Sequence, residues 1–228
     1  MIRLVLFDID GTLVHTGGAG IEAFRRTFAE LFNARDGIEK LKFAGRTDVS
    51  LVREFFSIHK IAETAQNFEL FFEQYVFRLD HVLAQNQTDI CPGVVEFIHA
   101  LRQLPQPPMI GLLTGNIRLG AEIKLRHFDL WKEFEMGGFA DDNEERDKIA
   151  AAAKARASRL LKHELRGEEI VVIGDTPLDI RCGRAIGAKV LAVATGGATL
   201  AELINHKPDW AVEDLTQITA KEICGYMK

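Results

Sequence analysis

Two aspartates one residue apart, Asp8 and Asp10, follow the apolar run Leu4-Val5-Leu6-Phe7 and precede Gly11-Thr12. An apolar run that ends in polar residues and a glycine reads as a buried strand, with its carboxyl end at Asp8. In an extended chain, residues two apart share a face at a spacing of roughly 6–7 Å. Asp8 and Asp10 therefore flank one reacting centre while Ile9 faces away, an arrangement suited to an attacking group beside a proton carrier. Gly11 lets the backbone turn.

Two further strand ends carry comparable groups. Thr114-Gly115-Asn116 follows the apolar residues 109–113, and Gly174-Asp175-Thr176-Pro177-Leu178-Asp179 follows residues 170–173. Each has an ordinary structural role when taken alone. Thr114 or Asn116 suits the cap of a helix beginning near Ile117. Asp175 and Asp179 suit a turn and an acidic first helical turn, with Pro177 at its start. The functional reading gives Thr114 a hydroxyl, beside free amides at a helix start, for a phosphate oxygen. Ligands of open α/β sheets gather beyond the carboxyl ends of the strands. Three such sites in this order point to phosphoryl transfer.

The elements that must position these residues alternate. Apolar runs at 2–7, 109–113, 170–173 and 189–193, with a weaker one at 210–212, read as strands; helical patterns at 94–104, 117–128, 147–161, 179–185 and 199–204 separate most of them. That rhythm predicts an α/β fold, a Rossmann-like doubly wound parallel sheet. Residues 15–89 break it. They hold ten of the fifteen phenylalanines, with Phe24, Phe28 and Phe32 spaced by four, as are Phe68 and Phe72, and Phe71 and Tyr75. Helical spacing of aromatics predicts an apolar helical core. The expected organisation is a core of residues 1–14 and 90–228 with a helical cap at 15–89. Gly17, Gly18 and Gly20 suit either a hinge or a simple turn at its start.

Composition narrows the partners. With 228 residues, 47% of them apolar, a sizeable core is available. A net charge of −5 gives no global electrostatic reason to expect nucleic acid or an anionic membrane. Cys91, Cys182 and Cys224, an odd number without CxxC spacing, fit free thiols in a reducing compartment, and no run suits a signal peptide or a membrane span. The expectation is a cytoplasmic protein whose partner is a small molecule; the oligomeric state is left open.

The aspartate-x-aspartate-Gly-Thr run at 8–12, the strand-end Thr114 and the Gly-Asp-x-x-x-Asp run at 174–179 resemble, in this order, the motifs of the haloacid dehalogenase (HAD) superfamily phosphatases. The resemblance covers nearly the whole chain. It implies a Rossmann-like core with a helical cap, Mg²⁺ dependence and an aspartyl-phosphate intermediate. It assigns Asp8 as nucleophile and Asp10 as the acid and base, with Mg²⁺ held by Asp8, the Asp10 carbonyl and Asp175, supported by Asp179. Thr114, Gly115 and Asn116 would hold phosphate oxygens. The family also requires a cation, usually a Lys before Pro. That pair is missing between Thr114 and the strand at 170–173, and Arg146 is chosen over Lys148 from the charged run at 143–148. Gly45-Arg46-Thr47-Asp48 resembles a cap segment of the phosphoglycolate phosphatase and phosphoglucomutase branches, so Arg46 would meet the distal end of a substrate, with His15 a second candidate contact. The implied function is hydrolysis of a small phosphate monoester, with phosphoglycolate leading. A β-phosphoglucomutase-like mutase and a non-catalytic binding protein of the same fold are the alternatives.

Overall fold

Short apolar runs satisfy their backbone groups by pairing with one another, and the sequence supplies several such runs in succession. In the computed structural model, which describes residues 1–226, the elements follow in this order: β1 (Leu4–Phe7), β2 (Val14–His15), α1 (Ala19–Phe32), α2 (Asp48–His59), α3 (Ala65–Leu83), β3 (Asp89–Ile90), α4 (Val94–Arg102), β4 (Met109–Leu113), α5 (Arg118–His127), β5 (Met136–Gly138), α6 (Arg146–Leu161), β6 (Ile170–Gly174), α7 (Pro177–Ala185), β7 (Lys189–Val193), α8 (Leu200–Asn205), β8 (Trp210–Val212) and α9 (Ala220–Cys224). Six strands form one parallel sheet in the order β5-β4-β1-β6-β7-β8.

Both faces of the sheet are covered, as all-parallel pairing demands. Val5 and Phe7 pack with Val94 and Phe97 of α4, whereas Leu4 and Leu6 pack with Ile149 and Ala153 of α6. β1 lies between β4 and β6, with Phe7 level with both Leu112 and Ile173. The three polar-tipped strands are therefore neighbours, and their carboxyl ends open together. β5 went unread in the sequence because Met136-Gly137-Gly138 lacks an apolar run. Its glycines are needed: a Cβ on Gly138 would lie 2.8 Å from the Ile149 carbonyl oxygen.

Between β2 and β3, which pair antiparallel through Val14 with Ile90 and His15 with Asp89, the chain forms α1, α2 and α3. Their apolar faces share a separate cluster. Phe24, Phe28, Phe55, Phe56, Phe71 and Tyr75 are buried in it, and Ile117 and Ala140 join from beyond β3. The Phe28 ring stacks on Phe55 at 3.6 Å and meets Phe56 edge-on at 6.1 Å. Thr47 and Thr64 cap α2 and α3 by accepting from the amides of Ser50 and Asn67. Among the described residues no helix is long and apolar enough to cross a membrane. Phe28→Ala leaves a cavity at the centre of these rings and should lower the stability of the folded chain by about 3–5 kcal/mol in denaturant unfolding.

Candidate active site

At the end of β1 the backbone turns through Gly11, whose φ of 82° suits glycine. A Cβ there would lie 2.7 Å from Asp175 Oδ2 and 2.8 Å from Gly196 Cα, so the residue also gives Asp175 its room. Asp175, at the end of β6, accepts from Thr12 Oγ1 at 3.1 Å and from the Gly197 amide at 3.1 Å. Asp179 stands in the first turn of α7 and forms a capping box with Thr176, whose amide and hydroxyl both donate to Asp179 Oδ2. Its other oxygen accepts from Arg146 Nη2. The capping role and the site role thus fall on one carboxylate.

Asp8, Asp175 and Asp179 are all buried, and each offers a carboxylate oxygen within 4.8 Å of the others. Burial and then Asp179 push the Asp8 carboxyl well above its ordinary range, against the downward pull of Arg146. The same two causes push Asp175 up to about 7. Crowded, all-oxygen donors of this kind fit a hard divalent cation, the class that HAD phosphatases generally use. Asp8 and Asp175 would hold it, with Asp179 contributing less directly because Arg146 and Thr176 already engage its oxygens. When bound, such a cation polarises a phosphoryl oxygen and offsets repulsion between the phosphate and Asp8.

Arg146, the first residue of α6 and only 4% exposed, lies 3.5 Å from Asp8 Oδ1 through Nη2. Lys148 points elsewhere, to Glu145 at the surface. Arg146 Nε, beside the weakly accepting Cys182 thiol, is the one buried side-chain nitrogen or oxygen without a hydrogen-bond partner among the described residues.

Thr114 lines the same cavity, of about 420 Å³, with Asp8, Asp10, Asp175 and Arg146. Its hydroxyl accepts from Asn116 Nδ2 at 2.8 Å. Asn116, expected to hold phosphate, has its side chain turned to Asp10 Oδ2 at 2.8 Å. The partner that sequence reasoning missed is Lys124 of α5. It is 3% exposed, and its Nζ donates to both Asp10 oxygens at 2.8 and 2.6 Å and to Asn116 Oδ1 at 2.6 Å. The signal was present: Ile117, Gly120, Ala121 and Lys124 share one helix face, and a lysine on an otherwise apolar stripe marks a buried charge.

The insertion completes the cavity. Gly115 needs to be glycine because the Arg46 carbonyl oxygen would lie 2.2 Å from a Cβ there. The Asp48 amide donates to the Gly115 oxygen at 2.7 Å, and the Asp48 carboxylate accepts from the Ile117 amide at 2.8 Å. Thr47 Oγ1 donates to the Glu144 carbonyl at 2.9 Å. His15 is exposed and lines the cavity. Arg46 borders it as well, but its guanidinium donates to Glu54 and to the Ser50 carbonyl.

Lys124→Met removes the ammonium that braces Asp10. It should lower kcat on alkyl phosphates by about 10- to 100-fold, with a smaller loss on p-nitrophenyl phosphate, whose leaving group needs less protonation. Equal losses on both would count against action through Asp10. Asp48 generates a second expectation. Burial pushes its carboxyl from an ordinary 3.8 up to about 7, opposed by Lys124 and the Ile117 amide. The folded chain then binds more protons than the unfolded one between those values, so this group makes stability fall as pH rises from about 4 to 7. Asp48→Asn, measured in EDTA, should show a shallower fall in Tm over that range than the wild type.

Comparison with known proteins gives the family and the fold. Residues 5–193 match the family model of haloacid dehalogenase-like hydrolases. Pyrophosphatase PpaX of Bacillus mycoides is 28% identical over 220 residues, covering 95% of each chain. Two solved structures share the fold at 19% identity. CbbY from Rhodobacter sphaeroides, in complex with xylulose-1,5-bisphosphate, has a TM-score of 0.76 with 95% of this chain and 96% of that one covered. A predicted phosphoglycolate phosphatase from Haemophilus somnus has a TM-score of 0.72 with 99% and 98% covered. The match over most of the chain, with the acidic cluster at the sheet's carboxyl end, makes this protein a member of the haloacid dehalogenase-like hydrolase family.

Proposed function

We propose that the protein is a Mg²⁺-dependent phosphatase that hydrolyses a small phosphate monoester through a phosphorylated Asp8. The observation that carries this reading is the convergence of Asp8, Asp175 and Asp179 with Arg146 at the end of β1 and β6, beside Asp10. The Asp8 carboxylate attacks phosphorus, and the bond to the leaving oxygen breaks as Asp10 gives that oxygen a proton. Water then attacks the phosphorylated Asp8 while Asp10 takes the water's proton, returning Asp8 and releasing phosphate. Thr114 Oγ1 and the Gly115 amide are the donors for phosphate oxygens, and Arg146 balances charge against Asp8.

A pyrophosphate substrate is the second reading, favoured by the naming of PpaX relatives that align along nearly the whole chain. Phosphoglycolate rested on the resemblance of Gly45-Arg46-Thr47-Asp48 to a cap segment of the phosphoglycolate phosphatase branch, and the engagement of Arg46 by Glu54 and Ser50 weakens the residue-level reason for preferring it.

Phosphate release from alkyl and aryl monoesters, phosphoglycolate and pyrophosphate, with Mg²⁺ or EDTA, tests the reading. Asp8→Asn should abolish release, by about 10³-fold or more, while Tm is unchanged or raised because one of the crowded carboxylates is gone. Retained activity in that variant would overturn the mechanism. Accumulation of a bisphosphate without phosphate release would favour a mutase.

A further inference from the structure

We propose that the leaving-group end of the cavity selects an uncharged alcohol, and that Glu54 sets this preference by holding Arg46; the inference rests on the phosphatase reading above. Four basic residues line the cavity: His15, Arg46, Lys124 and Arg146. The three arginine and lysine side chains are already committed. Arg146 meets Asp179 and Asp8, Lys124 meets both oxygens of Asp10, and Arg46 meets Glu54. His15 is exposed, and its ring serves a hydroxyl as readily as a carboxylate.

A second anionic group on the substrate thus finds no free arginine or lysine among the described residues lining the cavity. It faces instead the carboxyl groups of Asp10 and Asp48, and walls made by Ile21, Phe24, Phe43, Leu51 and Tyr75. Short of the uncapped first amides of α1, which begins on the same lining, an anion held there loses hydration that no free cationic side chain replaces. A hydroxyl or an apolar group carries a much smaller penalty.

The position of Arg46 follows from the local chain. It precedes Thr47, the cap of α2, and its side chain lies back along the helix, with Nη2 on the Ser50 carbonyl at 3.2 Å and Nη1 on Glu54. Glu54 stands six residues beyond Asp48, roughly 9 Å along the helix axis. The charged head is drawn away from the end of α2 where the Asp48 amide meets Gly115. The side chains of Arg46 and Glu54 are 28% and 41% exposed. A pair that open holds its partner by a factor of about five at most, so the device produces a preference rather than an exclusion.

The test compares kcat/KM for phosphoglycolate and 2-hydroxyethyl phosphate, esters of matched size that differ in a carboxylate against a hydroxymethyl group. Wild type should favour 2-hydroxyethyl phosphate. Glu54→Gln frees Arg46 and should raise the phosphoglycolate to 2-hydroxyethyl phosphate ratio about five-fold, and adding Arg46→Met should remove that gain. A wild-type preference for phosphoglycolate, or a ratio unmoved by Glu54→Gln, overturns the proposal while leaving the phosphatase reading intact. Absence of Asp8-dependent release from every ester overturns both.

Discussion

Everything in this site answers to one constraint, the crowding of carboxylates. Asp8, Asp175 and Asp179 bring oxygens within 4.8 Å of one another in a buried place, where like charges repel most strongly and water screens least. The consequence is visible in the upward displacement of Asp8 and Asp175. Such a cluster persists because the fold over-determines it. Strand order places β1 beside β6, the capping box fixes Asp179, and the start of α6 delivers Arg146 into the middle. The carboxylates are held close by groups whose own structural needs are met in the same act.

The second level of organisation runs through α5. The loop of residues 114–117 leads into it, and Asp48 of the inserted helices accepts from the amide of its cap, Ile117. Further along, Lys124 holds Asp10. Gly120 lies between, where a Cβ would stand 3.5 Å from the Tyr75 ring. One helix therefore touches the insertion at its start and middle while fixing the Asp10 carboxylate from its last turns. Displacing the insertion breaks both contacts of Asp48, its amide to the Gly115 carbonyl and its carboxylate to the Ile117 amide, and so disturbs the loop that leads into α5.

What was legible in the sequence follows from which features are local. Buried parallel strands are continuous apolar runs, so β1, β4, β6 and β7 were readable, and the chemistry followed because Asp8, Thr114 and Asp175 stand immediately after them. The aromatic spacing of residues 15–89 likewise foretold buried rings. β5 was silent because two of its three residues are glycine, and β2 and β3 because two-residue ladders have no periodicity. Lys124 showed only as a lysine on an apolar stripe, in a helix rich in charge where lysines usually reach water. Its meaning depends on Asp10, 114 residues away in sequence. The pairing of Arg46 with Glu54 was hidden for a different reason: a motif names the residue, and only the structure names its partner.

The charge balance of the cavity also bears on the order in which things bind. Its lining carries four carboxyl groups, from Asp8, Asp10, Asp48 and Asp175, against the three permanent cations of Arg46, Lys124 and Arg146. Asp179 stands behind Arg146 and shares its charge. Burial raises Asp8, Asp48 and Asp175, so part of this acidity is carried as protonated carboxyl groups, whose protons a bound divalent cation would displace. A divalent cation held by Asp8 and Asp175 would favour their ionised forms, the form that the proposed attack by Asp8 needs. On the phosphatase reading proposed above, metal and phosphate would favour each other's binding, and by linkage equally in both directions. That reading leaves the phosphate to be recognised through shared charge, and the rest of the substrate to be judged by the shape and polarity of the wall beyond it.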